Sequence, residues 1–140
     1  HSPVLVDDVT FALVEFESGA VGTIEANWAA SGRTMDLSWE ITGTKGALAF
    51  SQERMNELLL CKGSSGGRTS GFTKIEAGPS HPPYGNFCPA PGHHLGFNDL
   101  KVIEVAQLID AIGGGINPGP DFQEALEVQK VVSKIATSCS

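Results

Sequence analysis

The sequence predicts an α+β domain, an open and mostly antiparallel sheet with two C-terminal helices packed on one face. Two observations predict it: apolar residues alternate with period two as far as Glu76, with glycine-bearing turns between the runs, and the repeat becomes helical after Phe97. Strands grouped first and helices last give the layered α+β arrangement.

In the first run, Val9 to Phe16, the residues Val9, Phe11 and Leu13 alternate with Thr10, Ala12 and Val14, and Ser18-Gly19 is a hairpin signal. The return strand, Val21 to Ala30, sets Gly22, Ile24, Ala26 and Trp28 on one face and Val21, Thr23, Glu25 and Asn27 on the other. The first of these faces is apolar and the second mixed. A second hairpin follows. Met35, Leu37, Trp39 and Ile41 alternate with Asp36, Ser38 and Glu40, and the segment Thr42 to Gly46 turns the chain into Ala47 to Ser51. Asn56 to Lys62 and Phe72 to Glu76 are shorter strands, separated by the Gly63 to Gly67 run, which reads as a mobile loop.

Between Gly78 and Gly96 lie Pro79, Pro82, Pro83, Pro89 and Pro91 with three of the four histidines, a composition that resists regular structure and predicts a long loop. Leu100, Ile103, Leu108 and Ile112 then recur near helical period, giving a helix from Phe97 to Ile112 with Gly113, Gly114 and Gly115 as its stop. After Asn117 to Pro120, Asp121 is an N-cap with Glu124 three residues on. Ala125, Val128, Val132 and Ile135 form the apolar stripe of a second helix that runs close to the end of the chain. No internal repeat is visible.

The 140 residues predict one domain, residues 1–140, long enough to bury roughly two-thirds of its unfolded surface. A hydrophobic content of 41% with 18% charged residues is globular, and no apolar run reaches the length of a membrane span. Net charge is −7 and Arg33, Arg54 and Arg68 are scattered, which excludes nucleic acid as an expected partner. Cys61, Cys88 and Cys139 are odd in number and form no C-x-x-C pair, so free thiols in the cytoplasm are expected. The amino end has neither a basic start nor a signal-peptide apolar stretch and lacks an initiator methionine, and it reads as a chain entered midway.

Neither G-x-G-x-x-G nor a P-loop occurs, and the glycines at 43, 46 and 113 to 115 suit turns and a helix stop, not a phosphate cradle. His81, Cys88, His93 and His94 are ligand types for zinc, but their spacing matches no common zinc pattern and no metal is expected. A nucleophile built from Cys88 with His93 or His94 is weaker still, because nothing marks an acidified thiol. His93 and His94 do stand directly before a helix, between Gly92 and Gly96, where imidazoles can bind hydroxyls or exchange protons near neutral pH. A plain loop role is equally compatible with them. Trp28 and Trp39 fit packing or an interface better than a sugar platform, and Arg33 reads either as a turn charge or as a ligand contact.

Taken in order, the hairpin Val9 to Trp28, the segment Ile41 to Leu48, the loop and helix His93 to Leu100, Leu108 to Ile112, and Pro120 to Phe122 resemble the C-terminal domain of the glucose-fructose oxidoreductase / inositol dehydrogenase / MocA (Gfo/Idh/MocA) family. The resemblance spans nearly the whole chain. It implies a glyceraldehyde-3-phosphate dehydrogenase-like C-terminal domain of a two-domain enzyme, whose N-terminal Rossmann domain, absent here, binds NAD or NADP. It further implies oxidation or reduction of a sugar, cyclitol or related polyol by hydride transfer. The lysine of the family's E-K-P segment and its D-x-x-x-H pair have no counterpart in this sequence: no Lys precedes a Pro, and no His has an Asp four residues before it. The resemblance therefore implies a fragment without catalytic residues, cofactor site or metal, inactive alone. It points to His93, His94, Phe97 and Asn98, with Arg33, as substrate contacts; Phe97 lacks the hydroxyl a tyrosine would offer. It also implies a homo-oligomer through the sheet face that carries Trp28 or Trp39. The alternatives are a free-standing, non-catalytic α+β module binding carbohydrate or protein through its sheet, and a small metal hydrolase using the histidine loop.

Overall fold

A computed structural model describes residues 6–63, 71–114 and 119–138. Within them the chain divides into two compact units, one formed by the segment ending at Arg33 together with the segment beginning at Gly119, the other by the chain from Thr34 onward between them. Residues 64–67 of the expected mobile loop, the helix stop at Gly115, the Asn117-Pro118 connection, His1 to Leu5, Arg68 and Cys139 lie outside the described residues.

In the first unit, β1 (Val9–Glu15) and β2 (Val21–Asn27) form an antiparallel hairpin in which Val9 pairs with Asn27 and Glu15 with Val21. The loop Glu17-Ser18-Gly19 is closed by Phe16 N to Ala20 O and Gly19 N to Phe16 O, both 2.8 Å. Trp28 lies one residue past β2, yet its N–H still donates to Asp8 O at 2.8 Å, so it continues the face of Ala26 and Ile24. Paired residues share a face. One face therefore carries Thr10, Ala12, Val14 and Gly22, which are half-buried, and the other carries Val9, Phe11, Leu13 and Val21, which are exposed.

The same unit holds α2 (Phe122–Ser138). Its start is the predicted capping box: Asp121 Oδ1 accepts from Gln123 N and Glu124 N at 2.9 Å, and Glu124 Oε2 accepts from Asp121 N at 3.0 Å.

The second unit is built on a four-stranded antiparallel sheet in sequence order, β3 (Ser38–Gly43), β4 (Gly46–Ser51), β5 (Glu57–Lys62) and β6 (Thr73–Glu76). The expected strand from Met35 begins only at Ser38. The carboxylate of Glu53, in the 3₁₀ turn Gln52–Arg54, accepts from Thr34 N (2.8 Å), Thr34 Oγ1 (3.0 Å) and Met35 N (3.3 Å), drawing that segment off the ladder. Register puts Trp39, Ile41, Leu48, Phe50, Leu58, Leu60 and Ile75 on one face, with Trp39 stacked on Phe50 at 5.8 Å between ring centres. Glu40, Glu57, Leu59, Cys61, Lys74 and Glu76 share the other.

The sheet leads through the proline-rich loop into α1 (Phe97–Gly114), which continues two residues past the predicted end at Ile112. That loop is ordered by its own backbone bonds and contains a 3₁₀ turn at Tyr84–Asn86. It also supplies the buried apolar side chains among the described residues, Cys88 (1% exposed) and Leu95 (4%). By contrast α1 leaves Val102, Val105, Leu108, Ile109 and Ile112 exposed, and α2 leaves Phe122, Leu126, Val128, Val131 and Val132 exposed.

Candidate functional site

The loop entering α1 is assembled by three local devices. The turn Ala90 to His93, with Pro91 and Gly92 at its centre, closes through His93 N to Ala90 O at 3.2 Å. Asn56, in the residue before β5, reaches across with both ends of its amide: Nδ2 donates to Leu95 O and Oδ1 accepts from Leu95 N, each at 3.0 Å. The helix then starts on Gly96, whose N–H donates to Asp99 Oδ2 at 2.7 Å while its carbonyl accepts from Asp99 N at 3.1 Å. The clamped Leu95 points inward, and its neighbours His93, His94, Phe97 and Asn98 are exposed around it.

The structure thus brings four of the five expected substrate contacts onto one short ledge of the second unit. Arg33 belongs to the first unit, in the turn after β2, where its N–H donates to Ala30 O at 3.4 Å. Phe97 has Lys101 Nζ 5.9 Å from its ring centre, a cation–π placement that ties the ring to the first turn of α1. Trp28 is 92% exposed in the first unit and Trp39 42% exposed in the second.

On the face shared by β5 and β6, Lys74 pairs with two carboxylates, Glu57 and Glu76. Lys74 Nζ donates to Glu76 Oε1 at 2.6 Å and to Glu57 Oε1 at 3.5 Å. The Glu76 hydrogen bond and then the two carboxylate charges raise the Lys74 pKa. Glu76 is held below the usual carboxylate value of 4.5 by the hydrogen bond and charge of Lys74, with a further small contribution from the His94 imidazole. Because the folded pKa of Glu76 is depressed, its contribution to stability is present above pH 4.5 and lost as pH falls through the lower folded value. Lys74→Met is expected to return Glu76 toward 4.5 in a carboxyl titration followed by NMR; an unmoved titration would show that Lys74 is not the cause.

His81 Nδ1 accepts from Gly78 N at 3.2 Å, so one of its ring nitrogens serves the loop. Among the described residues, no group of three or more His, Cys, Asp or Glu side chains is placed to hold a metal ion. Also among them, Cys61 and Cys88 are free, and no helix is long and apolar enough to cross a membrane. A shallow depression of about 440 Å³ lies over the β3–β4 turn, lined by Ile41, Thr44, Lys45, Leu48 and Leu60 among others and by none of the expected site residues.

Asn56, Lys74, Glu76 and Asp99 do not stand out as site residues in the sequence alone. Asp99 carried a usable signal, an acid three residues after the residue that precedes the helix. Asn56 carried none, because its partner is 39 residues away.

Residues 1–49 match the model of the GFO/IDH/MocA C-terminal domain. The chain is 33% identical over 138 residues to levoglucosan dehydrogenase of Pseudarthrobacter phenanthrenivorans, covering 99% of this chain and 35% of that protein. Among solved structures, levoglucosan dehydrogenase in complex with NADH and levoglucosan superposes with a TM-score of 0.89 at 34% identity, over 98% of this chain and 37% of that one. An oxidoreductase domain protein from Kribbella flavida gives 0.90 at 39% identity, over 98% and 36%. An NAD binding oxidoreductase from Klebsiella pneumoniae gives 0.84 at 40% identity, over 94% and 36%. The chain spans about a third of the length of these relatives.

Proposed function

We propose that this chain, whose residues 1–49 match the GFO/IDH/MocA C-terminal-domain model and which is similar over nearly its whole length to dehydrogenases of that kind, is the substrate-binding and oligomerisation part of an NAD- or NADP-dependent oxidoreductase acting on a sugar, cyclitol or related polyol. The observation that carries this reading is the superposition of 98% of the chain on little more than a third of an enzyme solved with NADH and levoglucosan. The remaining length of such an enzyme supplies a Rossmann domain and the acid/base group. Oxidation removes a hydride from the carbinol carbon and a proton from its hydroxyl. This chain contributes the wall against which the substrate is held, with His93, His94 and Asn98 offering hydrogen bonds to hydroxyls and Phe97 an apolar edge.

The apolar surface supports the same reading. Both helices expose large apolar side chains, as does the β1–β2 face, and patches of this kind mark contact surfaces. We assign the sheet faces, with Trp28 and Trp39, to contact with a second copy of the chain. Free thiols at Cys61 and Cys88 suit a cytoplasmic setting.

The test compares this chain with the longer protein that contains it. The longer protein is expected to reduce NAD+ or NADP+ with a sugar or anhydrosugar. The 140-residue chain is expected to show no turnover and no change in melting temperature with NADH. A clear thermal shift of the short chain would locate a nucleotide site within these residues and overturn the assignment.

A further inference from the structure

We propose that Asn56 is a positioning residue for the polyol-facing ledge, acting on substrate through Leu95. This inference rests on the reading of His93 to Asn98 as a substrate wall. Asn56 is half-buried at the turn before β5 and spends its whole side-chain amide on one peptide position, giving a hydrogen bond to Leu95 O and receiving one from Leu95 N, both 3.0 Å. Its own carbonyl accepts from Ala77 N at 2.8 Å, so the residue that holds Leu95 is itself fixed to the end of β6. The Leu95 side chain is 4% exposed, which anchors the same residue from its other side.

Two exposed imidazoles precede Leu95, and Gly96 and the first turn of α1 follow it. A loop rich in proline and glycine has no ladder to fix its height above the sheet. Here a paired amide does so, in the geometry one strand would offer another. Leu95 is thus a fixed point between His94 and Phe97, and Asn56 sets where that point lies relative to β5 and β6. A side chain with one hydrogen-bonding end cannot replace it. Aspartate keeps the acceptor for Leu95 N and sets a carboxylate against Leu95 O, whereas leucine keeps the size and loses both bonds.

The experiment uses the full-length enzyme and steady-state kinetics of the wild type, Asn56→Leu, Asn56→Asp, His94→Ala, His93→Ala and the double variant Asn56→Leu/His94→Ala, each measured well below its melting temperature. The expected result for Asn56→Leu is a rise of about tenfold in KM for the polyol, with a smaller change in kcat and an unchanged KM for the nicotinamide cofactor. Asn56→Asp is expected to fall between wild type and Asn56→Leu. His94→Ala is expected to add little to Asn56→Leu, because the two act through the same ledge. A purely structural role would lower the melting temperature and leave the KM values alone; that outcome, or full additivity with His94→Ala, overturns the positioning role. If neither His93→Ala nor His94→Ala moves the polyol KM, the substrate-wall reading itself fails, and a KM change in Asn56→Leu alone would then belong to another path.

Discussion

Gly46→Ala is expected to destabilise the protein by roughly 2 kcal/mol or more, a large share of the stability of an ordinary domain. Gly46 opens β4 at φ +147°, and a Cβ there would be driven into the carbonyl oxygen of Cys61. That oxygen belongs to the neighbouring strand β5, within the ladder that pairs Ala47 with Cys61 and Gly46 with Lys62. It cannot withdraw without opening the pairing, which continues beyond the strand end through Gly63 N to Lys45 O at 2.9 Å. Gly19→Ala is the matched comparison: φ is also positive, at +82°, but nothing lies within 4 Å of the added methyl. Only the backbone preference is lost there, about 1 kcal/mol. Denaturant unfolding of both variants should place Gly46→Ala well below Gly19→Ala; equal midpoints would mean that β4 and β5 do not approach each other this closely.

The contrast between these two glycines shows what the sequence made legible. Both hairpins could be read from period-two alternation ending at Ser18-Gly19 and at Thr42 to Gly46, because turn residues and strand pattern are local signals. That Gly46 also faces the strand on its far side depends on the β4–β5 register, which no local pattern announces. The start of β3 was misplaced for a similar reason, since the Glu53 carboxylate that takes the amides of Thr34 and Met35 lies almost twenty residues downstream. Helix starts fared better than strand starts. The cap at Asp121 is written within four residues, and the structure makes both of its reciprocal bonds.

At the ledge the same division holds. His93 and His94 could be singled out from composition and from their place before a helix, whereas Asn56, whose amide holds Leu95 next to them, looks in sequence like any residue at the start of a strand. Lys74 and Glu76 stand two residues apart on a short strand that reads as solvated charge, and the reach of Lys74 to Glu57 depends on the β5–β6 register, which is not a local signal. The outward side of β1 was also illegible. Val9, Phe11 and Leu13 on one face and Ala12 and Val14 on the other are both apolar sets, so alternation alone could not say which faces outward. The structure turns the larger set outward.

That outward set carries the other large expected effect: where two copies meet through this face, as proposed above, Leu13→Glu yields a smaller assembly. Phe11, Leu13 and Val21 are 66%, 87% and 80% exposed on one side of the β1–β2 hairpin. Losing the burial of one leucine costs about 1.5–3 kcal/mol. In a contact between two copies related by a two-fold axis, each substitution enters twice. The sum, about 3–6 kcal/mol, lowers association by roughly two to four powers of ten. Sedimentation at micromolar concentration should then show a lower mass, while Ser18→Glu, at the tip of the same hairpin, leaves the mass as it was. Circular dichroism of Leu13→Glu should stay that of a folded protein, because the half-buried side of the hairpin, with Thr10, Ala12 and Val14, is untouched. An unchanged mass together with lost turnover would assign this face to the rest of the enzyme's own chain instead of a second copy. An unchanged mass with full turnover would mean that the stripe is simply solvated, and this face of the hairpin, opposite Trp28, would then have no part in assembly.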